Sequence, residues 1–157
     1  MAGPRAAGPS PRRPFPRAVV SGGQTGVDRA ALDVALALGL EVGGWCPRGR
    51  RAEDGGVPLR YPLREAPSPL YALRTRLNVR DSDGTLILAW GPPRGGTALA
   101  WRWCRRLGRP CRLVDLRRLR GRELARAAGA VRRWLQGAGI RVLHVAGPRE
   151  GERPGVG

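Results

Sequence analysis

Small, polar and acidic side chains are concentrated in residues 21–33, SGGQTGVDRAALD, between an apolar segment and an alanine- and leucine-rich one. Paired glycines allow a ligand to approach the backbone closely, and the helix predicted to follow would offer free N–H groups to an anion. A side chain at Gly23 is expected to block that approach. The candidate loop residues are Gly22, Gly23, Gln24, Thr25 and Gly26.

A structural interpretation of the same segment is also available. Thr25 and Asp28 have the spacing of a capping box, in which Thr25 caps the helix and Asp28 bonds back to it. This accounts for the second half of the loop without a ligand, but it leaves Gly22, Gly23 and Gln24 unexplained. The pattern is neither the dinucleotide fingerprint nor a Walker A motif.

A second glycine turn occurs in residues 91–100, GPPRGGTALA. Gly95 and Gly96 precede a predicted helix for which Thr97 is the predicted N-cap. Two glycine turns that each follow a strand of one sheet predict a two-part site for phosphate or another anion.

The helix predicted over residues 70–80 carries a polar stripe beside its apolar edge. Its members are Tyr71, Arg74, Thr75 and Asn78, at spacings that place them on one side of the helix. The stripe fits a pocket wall and ordinary surface equally well. Asp81 and Asp83 follow it; they could bind a cation, although acids that form turns are more common.

Apolar runs alternate with helical patterns along the chain, which predicts the fold class. Strands are predicted at 17–21, 40–45, 85–90, 110–116 and 140–147, helices at 27–38, 70–80, 97–108 and 121–139, and a long loop at 46–69. The order predicts one α/β domain, a three-layer sandwich with a mostly parallel sheet. Residues 17–148 are predicted to form this domain, residues 1–16 a disordered tail rich in proline and arginine, and residues 149–157 a C-terminal tail.

Composition restricts the function classes. No apolar run is long enough to cross a membrane and no secretory signal begins the chain, so we expect a cytoplasmic protein. The three cysteines lack metal-ligand spacing and His144 is isolated in an apolar strand, so no metal site is predicted. We also expect a homo-oligomer.

The formal net charge of +17 suggests nucleic acid, but every basic residue is arginine and aromatic residues are only 5%. A solvated basic face is the favoured interpretation, and nucleic-acid binding through residues 102–133 is the alternative. No complete catalytic set is visible, so the catalytic residues are unknown. A nucleotide hydrolase or transferase would have to use Glu53, Asp81 or Asp83 as its acid or base.

Five segments together resemble the molybdenum carrier-like family over residues 21–148. They are SGGQTGVDRAALD, GGWCPRGRRAEDGGVP, YALRTRLNVRDSDGTLIL, GGTALA and HVAGPRE, in this order. That family is Rossmann-like and is related to the group that contains phosphoribohydrolases and DNA-processing protein A.

The resemblance implies a ligand and a site. It implies molybdenum cofactor or another nucleotide-like molecule, held for storage or for delivery to apo-molybdoenzymes, with the pterin dithiolene rather than the protein holding the metal. By position, the implied site residues are Gly22, Gly23, Gln24, Thr25, Gly26, Arg74, Thr75, Asn78, Asp81, Asp83, Gly95, Gly96 and Thr97.

Overall fold

A computed structural model describes residues 15–157 of the chain. The helices are α1 (Val27–Ala37), α2 (Tyr71–Arg80), α3 (Gly95–Arg106) and α4 (Gly121–Gly137). The strands are β1 (Ala18–Val20), β2 (Glu41–Gly43), β3 (Trp45–Cys46), β4 (Arg64–Glu65), β5 (Gly84–Ala89), β6 (Cys111–Asp115) and β7 (Val142–Ala146).

Five strands form one sheet in the order β2-β1-β7-β5-β6, and each neighbouring pair is parallel. The sequence of β5, GTLILA, is almost wholly apolar because the strand is covered on both faces. Leu86 packs with α1 and α4 on one face, while Ile87 packs with α3 on the other. The predicted three-layer α/β sandwich with a mostly parallel sheet is therefore confirmed.

The predicted strand at 40–45 is wrong in one respect, since it divides at Gly44. Its first part, β2, joins the sheet, whereas its second part, β3, pairs with β4 outside it. Gly44 has a φ of 122°, and a Cβ there would overlap the backbone of Ser21. The turn at Gly44 thus redirects the chain toward the long loop.

Residues 46–69, predicted as a loop, are organised around Arg50. Its guanidinium donates hydrogen bonds to the backbone carbonyls of Val57, Pro58, Tyr61 and Leu63 at 2.9–3.2 Å. The loop also has a small apolar cluster, in which Tyr61 and Cys46 are fully buried against Leu32 of α1. The loop is consequently fixed against the helix that follows the first glycine turn.

The two helices that carry many of the arginines of residues 102–133 lie on opposite faces of the sheet, and nucleic-acid binding through this region stays a prediction. Ala100 packs α3 on the face of the sheet that carries Ile87, whereas Leu135 packs α4 on the opposite face with Leu143. The basic residues of α3 and α4 therefore lie on opposite sides of the molecule.

Most of the predicted tail at 1–16 lies outside the described residues, which begin at residue 15. Between residues 15 and 157, none of the helices has the length and apolar character needed to cross a membrane.

Candidate functional site

Both glycine turns lie at the carboxyl edge of the sheet, one after β1 and one after β5, and β7 runs between these two strands. A cleft of about 220 Å³ opens between them. This edge is where ligands bind in open α/β sheets. The predicted site residues that line the cleft are Gln24, Arg74, Thr75, Gly95, Gly96 and Thr97.

The start of α3 forms one wall of the cleft. The prediction of Thr97 as N-cap is wrong: the N-cap is Arg94, whose extended backbone precedes Gly95 and whose side chain makes no capping hydrogen bond. Thr97 instead lies in the first turn, 6% exposed. Within the described residues, no acceptor binds the backbone N–H groups of Gly95, Gly96 and Thr97. These groups and the helix dipole favour an anion.

Arg74 of α2 crosses the first glycine loop. A Cβ at Gly22 would overlap its guanidinium and would lie 2.8 Å from its Nε, so only glycine permits this approach. The Arg74 side chain is 11% exposed and its Nη1 lies 3.5 Å from the Asp28 carboxylate. Its buried Nε has no hydrogen-bond partner. The arrangement holds a nearly buried cation against the first glycine loop, and its residue lines the cleft.

The predicted capping box is also wrong. The N-cap of α1 is Gly26, and Asp28 accepts a hydrogen bond from the Gln24 backbone N–H at 3.2 Å rather than bonding back to Thr25. The first N–H of α1, on Val27, donates to the Pro148 carbonyl at 3.2 Å. This N–H of α1 is thus already satisfied, and the cation beside the loop is Arg74 of α2.

Two glycines of the loop serve packing rather than ligand access. Gly23 has a φ of 74°, and a Cβ there would lie 2.7 Å from Val57 and 2.8 Å from Leu63. Gly26 has a φ of 76°, and a Cβ there would lie 2.6 Å from the Pro148 carbonyl oxygen. The expectation that a side chain at Gly23 blocks a ligand is corrected: it would collide with the protein's own core.

Gln24 is the loop side chain that reaches the cleft. Its amide oxygen accepts hydrogen bonds from the backbone N–H groups of Thr25 and Glu53 at 3.1 and 3.0 Å. Among residues 15–157 its amide nitrogen makes no hydrogen bond, so it remains a donor for a ligand.

Burial shifts two titratable groups beside Arg74. Desolvation raises the pKa of Asp28, against the nearby Arg74 charge and the backbone N–H groups that lower it. Desolvation, and then repulsion by Arg74, lowers the pKa of His144 to about 3. The His144 ring lines the cleft as a neutral group, with Nδ1 3.1 Å from the Thr85 hydroxyl. The cationic groups that line the cleft are therefore Arg74 and Arg149, each 3.5 Å from a carboxylate that also lines it, Asp28 and Glu152 respectively.

Three predicted site residues lie away from the cleft. Asn78 is 1% exposed, and its side chain donates to and accepts from the backbone of Trp45 at 2.9 and 2.8 Å. Asp81 accepts a hydrogen bond from the Trp45 indole at 2.8 Å and pairs with Arg80. Asp83 accepts from two backbone N–H groups at the start of β7, which is the opposite edge of the sheet. These residues position elements of the fold.

The C-terminal segment, residues 149–157, packs over the first loop. The Thr25 hydroxyl accepts a hydrogen bond from the Glu150 N–H at 3.1 Å and donates to the Glu53 carboxylate. Glu53 also accepts from the Gly151 N–H at 2.8 Å and lies 3.3 Å from the Nε of Arg149. The Thr25 hydrogen bond is the main reason that the pKa of Glu53 is lowered. Thr25 and Glu53 thus hold residues 149–157 beside the cleft by hydrogen bonds.

Tyr71 was named as part of the polar stripe, but sequence reasoning did not assign seven other cleft residues to the site. They are Asp28, Leu99, His144, Ala146, Gly147, Arg149 and Glu152. His144 was interpreted as structural and residues 149–157 as a tail. The available signal was position: residues 147–152 directly follow β7, as the glycine turns follow β1 and β5.

The parallel sheet with glycine turns at the carboxyl ends of its strands is that of a Rossmann-like α/β protein. Residues 19–157 match cpYpsA, the circularly permutated YpsA SLOG family, and the chain belongs to this family. It is similar to a solved structure from Syntrophus aciditrophicus SB named "Putative molybdenum carrier protein". The two share 44% identity over 89% of this chain and 87% of that one, with a TM-score of 0.85. No curated protein matches the sequence.

Proposed function

We propose that the protein binds a phosphate-bearing small molecule in the cleft between the two glycine turns. The observation that carries the proposal is the Arg74 guanidinium, nearly buried across Gly22, at a cleft that the N-terminus of α3 also lines. Charge-assisted hydrogen bonds from arginine and free N–H groups of a helix together form a strong phosphate site.

The ligand we propose is molybdenum cofactor, held for storage or delivery to apo-molybdoenzymes. The name of the structural relative supports this choice. Among residues 15–157, no group of three or more His, Cys, Asp or Glu side chains could hold a metal ion. A ligand whose own dithiolene binds the metal fits such a cleft, because the protein then has to recognise only the phosphate and the organic ring.

The three acids that the sequence offers to an enzyme make structural contacts, and the two acids that line the cleft, Asp28 and Glu152, lie 3.5 Å from Arg74 and Arg149. Asp81 and Asp83 make the contacts with β3 and β7 described above, outside the cleft. Glu53 is committed to Thr25, Arg149 and Gly151. We therefore propose binding rather than turnover.

Identification of the molecule that copurifies with the protein tests the proposal. The protein is expressed in a host that makes molybdenum cofactor, extracted, and analysed by mass spectrometry and metal quantification. Arg74→Ala is the matched variant, expected to lose the ligand, and Arg80→Ala removes a solvent-exposed arginine of the same helix as control. Equal ligand content in all three proteins would contradict the proposed cleft.

Transfer to an enzyme tests delivery separately from binding. The loaded protein is mixed with an apo-molybdoenzyme, and the activity of that enzyme is measured against addition of free cofactor. A carrier is expected to restore activity at lower total cofactor. Saturable binding without transfer would leave binding in place and reject delivery.

A further inference from the structure

A second cavity, of about 380 Å³, adjoins the cleft on the side of the loop that follows β5. The two cavities share Thr97 and Glu152 in their linings. The cleft alone is smaller than typical small-molecule sites, which are roughly 300–1,000 Å³. The second cavity is therefore space into which a ligand anchored in the cleft would extend.

An indole ring and two proline rings are among the groups that line this second cavity. Trp90 lies immediately after β5, and Pro92 and Pro93 follow it in the turn that leads to α3. The guanidinium carbon of Arg153 lies 4.0 Å from the centroid of the Trp90 ring, so a planar cation covers the indole face. Tryptophan beside a cavity binds planar groups by stacking.

The side chain that covers Trp90 is weakly held. Arg153 is exposed, and its guanidinium makes no ion pair or hydrogen bond with any residue of the described part of the chain. A planar ring of a ligand could replace it at the same stacking distance. The arginine would then swing into solvent without leaving a buried charge behind.

Glu152, the residue before Arg153, places its carboxylate near the N-terminus of α3, where we propose that the ligand's phosphate binds. One carboxylate oxygen lies 3.3 Å from the place where a Cβ of Gly95 would be, at the start of α3, and 3.5 Å from the Nε of Arg149. The adjacent residues Glu152 and Arg153 thus present a carboxylate at the helix N-terminus and a flat group on Trp90.

We propose that Trp90 forms a second subsite, which stacks a planar heterocycle joined by a short linker to the phosphate in the cleft, and that Glu152 and Arg153 occupy these two positions when no ligand is bound. The inference rests on the proposed binding of a phosphate ligand. It adds a ring-binding residue and a competing segment of the chain itself.

The experiment compares ring-bearing and ringless phosphates by calorimetry, using neopterin monophosphate, adenosine monophosphate and glycerol phosphate. The wild-type protein is expected to bind at least one ring-bearing phosphate more tightly than glycerol phosphate. Trp90→Leu should weaken the ring-bearing ligand about tenfold, as loss of a stacking partner does, and leave glycerol phosphate unchanged. Trp90→Phe retains a flat ring and should restore most of the affinity.

Removal of the competing side chain gives the opposite change. Arg153→Ala should tighten the ring-bearing ligand by about two- to fivefold, the strength of an exposed cation–π contact, with no effect on glycerol phosphate. Arg153 lies on the surface, so this variant does not depend on tolerance of a core change.

The outcomes separate the two proposals. If no phosphate binds, or if binding survives Arg74→Ala, the proposed function fails. If glycerol phosphate binds and depends on Arg74, but neither ring-bearing ligand binds more tightly, only the subsite is rejected. The subsite is also rejected if Trp90→Leu leaves the preference for a ring intact or if Arg153→Ala does not tighten binding.

Discussion

Replacement of Gly22 by alanine tests the position of the Arg74 side chain, because it displaces the guanidinium without removing it. The backbone of Gly22 is outside the positive-φ region, so alanine adds no backbone strain. The new methyl group would instead overlap the Arg74 guanidinium, which must move away from both the loop and Asp28. The variant therefore retains every charge while it displaces one.

The size of the effect follows from the burial of this pair. Displacement removes a charged hydrogen-bond donor from the ligand, worth about 1.5–3 kcal/mol, so phosphate affinity should fall by roughly ten- to a hundredfold. The side chains of Arg74 and Asp28 are only 11% and 5% exposed, and separating them should lower the free energy of unfolding by about 1–3 kcal/mol.

Calorimetry with glycerol phosphate measures the first effect and urea denaturation the second. Gly43→Ala is the matched control, since a Cβ there meets no atom within 4 Å; both quantities should be nearly unchanged. If Gly22→Ala binds phosphate as tightly as Gly43→Ala while remaining folded, the role given to Arg74 is refuted.

Three further side chains give predictions on stability and motion. The unfolded chain protonates His144 near pH 6.5 but the native protein only near pH 3, so the free energy of unfolding should fall on acidification across this range, by up to about 5 kcal/mol. Urea denaturation of the wild-type protein and of His144→Asn at several pH values isolates this proton, and identical pH profiles would contradict the burial of a neutral ring. Asp83→Ala should lower the free energy of unfolding by about 1 kcal/mol, because two N–H groups at the start of β7 lose their acceptor, and calorimetry should show no change in ligand affinity. Reduced affinity at unchanged stability would instead indicate that Asp83 belongs to the binding site. Glu53→Ala should accelerate hydrogen exchange at the Gly151 amide, whereas Asp54→Ala, which removes the partner of Arg29 in α1, should not. Equal exchange rates in both variants would show that Glu53 does not hold the C-terminal segment.

The sheet and its helices could be predicted because their signals are local. An apolar run such as 85–90 and a helical stripe such as 27–38 are visible within a dozen residues, and the order of elements then restricts the architecture. The two glycine turns could be placed at one edge of the sheet by the same reasoning, and that part of the candidate site follows from topology alone.

The remainder depended on contacts between distant segments. Asn78 and Trp45 are 33 residues apart, so nothing near Asn78 indicates that its amide is committed to a backbone. Thr25 could be assigned to a cap by spacing, yet its hydroxyl is occupied by Glu53 and by Glu150, 125 residues away. Polar side chains have several acceptable partners, and only the packed chain selects among them.

The place of β7 in the sheet has a consequence for how the molecule assembles. β1 with β2 and β5 with β6 are two separate halves, and β7 alone joins them. The Ser21 hydroxyl, at the end of β1, donates to a carbonyl 124 residues further along the chain. Pairing over such separations makes folding slow. The two glycine turns face one another only when β7 joins the two halves, so a ligand held between the turns would stabilise the assembled sheet and not either half alone.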